Sequence, residues 1–201
     1  MLDRFATRLI RPAVDACASV LVRAGVRANT VTLVGFALGL IAAFLIACGA
    51  YCAGASALLT SRLCDALDGA VARQTTPTDA GGFLDITLDF LFYASIPLAF
   101  AVADPGANAL AAATLLAAFV GTGSSFLAFA VIAAKRQLQS VDYPNKSFYF
   151  LGGLTEATET LAFFGAMCLW PQHFAVLAYV FSALCAITIA TRIFWGWRAF
   201  Q

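Results

Sequence analysis

The sequence predicts an all-α protein that crosses a membrane six times and begins with an amphipathic surface helix. Of its 201 residues, 62% are hydrophobic and only 11% are charged, whereas a soluble domain carries about 25% charged residues. Uncharged apolar runs of about 20 residues recur along the chain, which is the length that a transmembrane helix needs. We therefore expect a polytopic membrane protein with one six-helix domain over residues 27–201.

The first 26 residues have their apolar side chains at helical spacing, and most of their arginines lie off that stripe. A helix with one apolar and one basic face lies in the plane of a membrane surface. Residues 1–26 therefore predict a juxtamembrane amphipathic helix, bent near Pro12.

Six apolar segments follow, separated by short polar or turn-forming connections. Asn29 or Thr30 is expected to cap the first of them. Gly35 and Gly39 form a GxxxG pattern, which favours close helix packing. The predicted spans cover residues 31–50, 53–73, 81–103, 107–134, 148–170 and 174–195.

The twelve Lys and Arg residues predict the topology. They fall before the first span, at the connections after spans two and four, and at the C-terminal end; Arg62 and Arg73 are assigned to the connection after span two. The positive-inside rule then places both termini and this connection in the cytoplasm of a multi-pass protein in the cell (inner) membrane. A net charge of +1 gives no reason to expect a nucleic-acid partner.

Residues 61–90 hold five of the eleven acidic residues of the chain. Asp65 and Asp68 are three residues apart, and Asp85 and Asp89 are four apart, so each pair shares one face of a helix. The connection over residues 74–80 is short, which makes the two helices antiparallel neighbours. The four carboxylates are therefore expected to converge just below the cytoplasmic surface.

Four carboxylates at that depth need neutralisation, because each costs on the order of 2.5–3.5 kcal/mol to insert. Two divalent cations can supply it, and an all-carboxylate ligand set favours Mg²⁺ or Mn²⁺ over Zn²⁺. Two such ions about 4 Å apart clamp the attacking and leaving oxygens of a phosphoryl group. Gly69 leaves space beside the ions, and Arg73 supplies a fork suited to phosphate oxygens.

Three other interpretations of these acids stay open at this point. The carboxylates can form buried ion pairs between helices, or line the route of a divalent-cation transporter. A non-catalytic binding or scaffold protein is the third.

The pattern D-x-x-D-G-x-x-A-R, followed after seven residues by G-x-x-x-D-x-x-x-D, resembles the signature of the CDP-alcohol phosphotransferase family. The connection is one residue shorter than is usual in that family, and the loss falls in the loop. The matching residues are Asp65, Asp68, Gly69, Ala72, Arg73, Gly81, Asp85 and Asp89.

The resemblance implies an enzyme of phospholipid biosynthesis. A hydroxyl of a small polar alcohol attacks the phosphorus next to the lipid of a CDP-linked donor, often CDP-diacylglycerol, and CMP leaves. By motif position the four aspartates hold two metal ions, and Asp89 is also the general base. The residues implied to contact the CDP group are Asn29, Thr32, Gly69 and Arg73, with Thr78 added from the loop. The family often forms homodimers, which the GxxxG and the aromatic-rich third and sixth spans can support.

Two cations after the fourth span are candidates for the acceptor site. Lys135 and Arg136 are predicted to be cytoplasmic and can attract a phosphorylated alcohol. Topology signals and lipid-headgroup contacts explain them equally well.

Two acidic residues of the fifth predicted span give the opposite indication. Glu156 and Glu159 are three residues apart and are expected two to three turns inside this span. They either line the acceptor pocket, where they favour hydroxyls or an amine, or they pair with Arg192 or Lys146. The sequence therefore leaves the acceptor open.

Overall fold

The computed structural model describes residues 3–137 and 154–201, which form helices and no strand within those ranges. A single 3-10 turn, Pro171–His173, precedes the last helix. The helices are α1 (Asp3–Arg23), α2 (Ala28–Ala47), α3 (Tyr51–Gln74), α4 (Asp79–Ala103), α5 (Pro105–Lys135), α6 (Ala157–Leu169) and α7 (Phe174–Phe200).

The start of α2 differs from the prediction. Arg27 is its N-cap residue and makes no side-chain cap bond, so the cap assigned to Asn29 or Thr30 is wrong. The Asn29 side chain lies against the start of α4 instead. A Cβ atom added at Gly81 would be 3.0 Å from its Oδ1.

Four segments of the described chain are long and apolar enough to cross a membrane: α2, α4, α5 and the segment Pro171–Phe200. Helix α3 has 24 residues, but it carries Arg62, Asp65, Asp68 and Arg73. Helix α6 has 13 residues, and residues 148–153 of the fifth predicted span lie outside the described ranges. The all-helical class is confirmed, whereas the count of six spans stays a prediction.

The beginning of α6 corrects the placement of the two glutamates. Glu156 is the N-cap residue, and the Glu159 side chain accepts a hydrogen bond from the backbone N–H of Glu156 at 3.2 Å. These residues form a capping box, which holds the first turn at this position. The expectation that both lie two to three turns inside a helix is therefore wrong.

Helix α1 packs against the second half of α3. Ala18 is fully buried with Ala70 and Val71. The Gln74 side chain donates to the carbonyl oxygen of Asp15 at 2.9 Å and accepts from the Ser19 hydroxyl at 3.0 Å. These contacts place α1 beside the acidic part of the chain.

Helices α3 and α4 face each other across a gap. Helix α2 packs extensively against both of them, while α3 and α4 make few close backbone contacts with one another. The sequence predicts these helices as antiparallel neighbours, and the structure adds that they meet through side chains such as Arg62 and Asp89, with space between the two acidic faces. That space contains the candidate site.

Candidate active site

Three of the four predicted carboxylates converge in this gap. Asp65 and Asp68 of α3 and Asp85 of α4 each offer an oxygen, and these oxygens lie within 4.8 Å of one another. Asp68 is only 5% exposed, and its Oδ2 has no hydrogen-bond partner among the described residues. A buried, unpaired carboxylate oxygen inside a cluster of oxygen donors fits a hard divalent cation.

Asp89 lies next to this cluster but outside it. Its Oδ1 accepts a hydrogen bond from Nη1 of Arg62 at 2.6 Å, and the same nitrogen is 3.4 Å from Oδ1 of Asp65. The Arg62 side chain is 9% exposed. The structure therefore pairs the predicted general base with a buried cation.

The sequence predicts Arg62 at the connection after span two, which is wrong, because the structure places it in the middle of α3. It precedes Arg73 by eleven residues, which is about 17 Å along a helix. The signal in the sequence is its position three residues before Asp65, because that spacing puts both side chains on one helix face.

A cavity of about 550 Å³ opens beside the carboxylate cluster, between α1, α2, α3 and α4. Asp68 and Asp85 line its inner end. Four of the five residues implied to bind the donor line the same cavity: Asn29, Thr32, Gly69 and Thr78.

Glycine at position 81 lets Asn29 and Thr78 lie close to the start of α4 on the wall of this cavity. An added Cβ atom there would lie 3.0 Å from Oδ1 of Asn29 and 3.1 Å from Oγ1 of Thr78. The Thr78 hydroxyl caps α4 by accepting from the backbone N–H of Gly81 at 3.1 Å. The shortened connection therefore still brings Thr78 to the cavity.

Arg73, the fifth residue implied to bind the donor, lies at the edge of the cavity rather than on its lining. Its Nη2 is 3.8 Å from Oδ1 of Asp15 on α1. Its Nη1 would be 3.3 Å from a Cβ atom added at Gly69. The guanidinium is thus held over Gly69, within a side-chain movement of the cavity.

Helix α1 and the connection that follows it contribute lining residues that the sequence did not indicate. Val22, Val26 and Arg27 all border the donor-side cavity. The predicted surface helix explains the two valines, and the positive-inside rule explains Arg27, so nothing in the pattern assigned these residues to a site.

A second cavity of about 630 Å³ lies on the other side of Asp89, between α4, α5, α7 and the start of α6. Asp89, Tyr93, Glu156 and Arg192 are among its lining residues. Arg192 is 8% exposed, and its Nη1 donates to the carbonyl oxygen of Thr122 at 3.0 Å. From the sequence, Arg192 is predicted only as an ion-pair partner for Glu156 and Glu159.

The other residues predicted for the acceptor pocket are not on this lining. Glu159 is used in the cap of α6, and Lys135 ends α5. Arg136 donates from Nη2 to the carbonyl oxygen of Phe200 at 2.6 Å and stacks on the ring of the same residue. Of the four predicted acceptor residues, only Glu156 borders the cavity beside Asp89.

Comparison with known proteins agrees with this geometry. The model of the family described as CDP-alcohol phosphatidyltransferase matches residues 26–193. The chain belongs to this family. Membership makes it a transferase of phospholipid biosynthesis that acts in a membrane and uses divalent metal ions.

Relatives in the family cover the chain to different extents. It is 52% identical over 197 residues to the inner membrane protein YnjF of Escherichia coli, covering 98% of this chain and 96% of that protein. It is 42% identical over 92 residues to the archaetidylinositol phosphate synthase of Methanothermobacter thermautotrophicus, covering 45% of each.

Solved structures share the fold at low sequence identity. The phosphatidylinositol phosphate synthase of Mycobacterium tuberculosis with CDP-DAG bound has a TM-score of 0.72 at 22% identity, over 92% of this chain and 93% of that one. The same enzyme with manganese and citrate has a TM-score of 0.71 at 23% identity, over 92% and 88%.

Proposed function

We propose that this transferase moves a phosphatidyl group from a CDP-linked lipid donor, CDP-diacylglycerol, to the hydroxyl of a small polar alcohol. One observation carries the proposal: Asp89 borders both the hollow that contains the carboxylate cluster and the second cavity. A base in that position can reach an acceptor in one cavity while the donor phosphate lies in the other. The similarity in fold to a phosphatidylinositol phosphate synthase with CDP-DAG bound supports this choice of donor.

The donor-side cavity receives the CDP group in this proposal. Asn29, Thr32 and Thr78 offer polar groups along its wall, and Gly69 leaves room for the diphosphate. Arg73 turns from Asp15 to the phosphate oxygens, for which its planar fork is suited.

The carboxylates of Asp65, Asp68, Asp85 and Asp89 would hold two divalent ions, Mg²⁺ or Mn²⁺. When bound, these ions neutralise the phosphate charge and make the acceptor hydroxyl more acidic. The acceptor oxygen forms a bond to the phosphorus next to the lipid, and the bond from that phosphorus to the CMP oxygen breaks. CMP leaves with the electron pair, and Asp89 takes the hydroxyl proton.

The second cavity receives the acceptor. Arg192 is the one cation among its described lining residues, while Asp89 and Glu156 are the acids. A buried guanidinium favours an alcohol that carries an anionic group, such as a sugar-alcohol phosphate. The similarity to an archaetidylinositol phosphate synthase and to a phosphatidylinositol phosphate synthase supports that class.

We also propose the predicted arrangement in the membrane: six spans, α1 on the cytoplasmic surface, and both termini and the site in the cytoplasm. The similarity to an inner membrane protein supports the location. Family membership favours the transferase over a divalent-cation transporter. We also propose that two copies of the chain form a homodimer.

The test is CMP release by the purified protein with CDP-diacylglycerol, Mg²⁺ or Mn²⁺, and a panel of alcohols with and without phosphate. Wild-type protein should release CMP only with metal and acceptor, and Asp89→Asn should lower kcat by about 10²–10⁴-fold. Activity of Asp89→Asn within threefold of wild type would remove the base assignment. Metal flux into liposomes without any CMP release would support the transporter.

A further inference from the structure

The Arg62 head group contacts two of the proposed catalytic carboxylates, which a charge that only sets membrane topology does not need to do. Its Nη1 bridges Oδ1 of Asp89 and Oδ1 of Asp65, at 2.6 and 3.4 Å. Its Nη2 donates to the Ser61 hydroxyl at 3.3 Å. Its guanidinium carbon lies 3.9 Å from the centre of the Phe92 ring. The head group is therefore held by an acid on each of two helices, by a hydroxyl and by an aromatic face.

We propose that Arg62 is a positioning residue of the phosphatidyl transfer, which holds the Asp89 carboxylate between the carboxylate cluster and the second cavity. This inference rests on the proposed function. The short contact engages Oδ1 of Asp89, so in this proposal Oδ2 is the oxygen that takes the acceptor proton. Helix α2 sets how far apart α3 and α4 lie, and the Arg62 side chain links Asp89 to Asp65 across the gap between them.

The charge of Arg62 also completes the balance of the loaded site. Four aspartates carry four negative charges, which two divalent ions neutralise. Arg62 and Arg73 then add two positive charges, which match the two negative charges of the donor diphosphate. Arg62 thus supplies positive charge between Asp65 and Asp89.

A lysine cannot reproduce this geometry. The planar guanidinium stacks on Phe92 while it directs separate N–H groups at Asp89 and Ser61, whereas an ammonium is a point charge on a flexible stem. Arg62→Lys therefore keeps the buried charge and loses the fixed position. Arg62→Gln loses both.

The experiment compares wild type, Arg62→Lys and Arg62→Gln in three measurements. The first is the melting temperature in detergent. The second is the rise in melting temperature caused by Mn²⁺ without nucleotide, or by CDP together with Mg²⁺. The third is steady-state CMP release. The control is Arg198→Gln. Arg198 also stacks on a phenylalanine, with its guanidinium carbon 4.6 Å from the centre of the Phe194 ring, but it lies on α7, away from the carboxylates of α3 and α4.

We expect Arg62→Gln to keep the Mn²⁺ and CDP effects and to lose kcat on the order of 100-fold, as misplacement of a reacting group does. Arg62→Lys should fall between Arg62→Gln and wild type, and Arg198→Gln should match wild type. These results would separate positioning of the base from assembly of the metal site.

Several outcomes would overturn the inference. Wild-type kcat in a folded Arg62→Gln or Arg62→Lys protein would remove the positioning role. Loss of the Mn²⁺ effect in both variants would make Arg62 part of the metal site's framework, and failure of both to fold would make it a structural cation. An active wild type with unaffected variants refutes this inference alone, whereas an inactive wild type refutes the proposed function and this inference with it.

Discussion

The hydroxyl of Ser61 on α3 donates a hydrogen bond to the carbonyl oxygen of Gly35 on α2 at 2.7 Å. Both residues are buried, and a Cβ atom added at Gly35 would lie 2.9 Å from Cβ of Cys64. The close packing predicted from the GxxxG pattern is thus confirmed, and it occurs within the chain. Helix α2 can approach α3 closely because Gly35 has no side chain, and that approach sets where Arg62 and Asp65 lie.

The first prediction concerns the second glycine of this pattern. A Cβ atom at Gly39 would lie 2.6 Å from Cδ2 of Phe92 and 3.1 Å from Oγ of Ser61. Gly39→Ala should therefore destabilise the protein by about 1–3 kcal/mol, measured as a lower melting temperature in detergent. The control is Gly165→Ala, which has nothing within 4 Å and should leave stability unchanged or raise it by about 0.5–1 kcal/mol. Equal melting temperatures for the two variants would contradict the packing argument.

The second prediction separates donor binding from the rest of the site. Gly69→Ala puts a methyl group 3.3 Å from Nη1 of Arg73 and narrows the donor-side cavity, so the KM for CDP-diacylglycerol should rise. Gly82→Ala is the matched control, because Gly82 lines the same cavity and a Cβ atom there meets nothing within 4 Å. Steady-state kinetics with varied donor and saturating acceptor would measure the donor KM of both variants. The assignment of this cavity to the donor fails if Gly69→Ala changes only the acceptor KM.

The third prediction tests the metal site without an activity assay. Mn²⁺ at 100 times its Kd should stabilise the folded protein by about 2.7 kcal/mol, seen as a higher melting temperature. Asp68→Asn removes a ligand charge from the cluster and should abolish most of this effect. Asp104→Asn should keep it in full, because Asp104 caps α5 about 28 Å along α4 from Asp85. A similar response to Mn²⁺ in the two variants would place the ion elsewhere.

The fourth prediction concerns recognition of the acceptor. If Arg192 contacts an anionic group of the alcohol, Arg192→Gln should raise the acceptor KM roughly 10- to 150-fold, since a charged hydrogen bond contributes about 1.5–3 kcal/mol. Donor KM should change little, and the preference for phosphorylated over plain alcohols should shrink. Arg136→Gln is the control, because the Arg136 head group is tied to Phe200 outside the cavity. The reverse result, with Arg136→Gln impaired and Arg192→Gln normal, would return the acceptor site to the residues predicted from the sequence.

The helical elements and the acidic cluster were accessible from the sequence because both depend on local spacing. Apolar runs reveal helices whatever their neighbours are, and the intervals between Asp65 and Asp68 and between Asp85 and Asp89 define a helix face. The exact start of α6 was missed because it depends on the reciprocal bonds between Glu156 and Glu159. An apolar run continues through such a cap, so hydropathy alone extends the helix too far.

The sequence by itself determined that the chain is a helical membrane protein, that its aspartates suit divalent ions, and which signature it carries. Only the tertiary structure decided that Arg62 holds Asp89, that Arg192 borders the cavity beside it, and that Arg136 does not. The physical reason is that residues on one helix keep fixed relative positions, whereas contacts between helices depend on how closely and at what rotation they pack. Here that packing is set by α2, whose glycines admit Cys64 and Phe92 and leave α3 and α4 facing each other across the site.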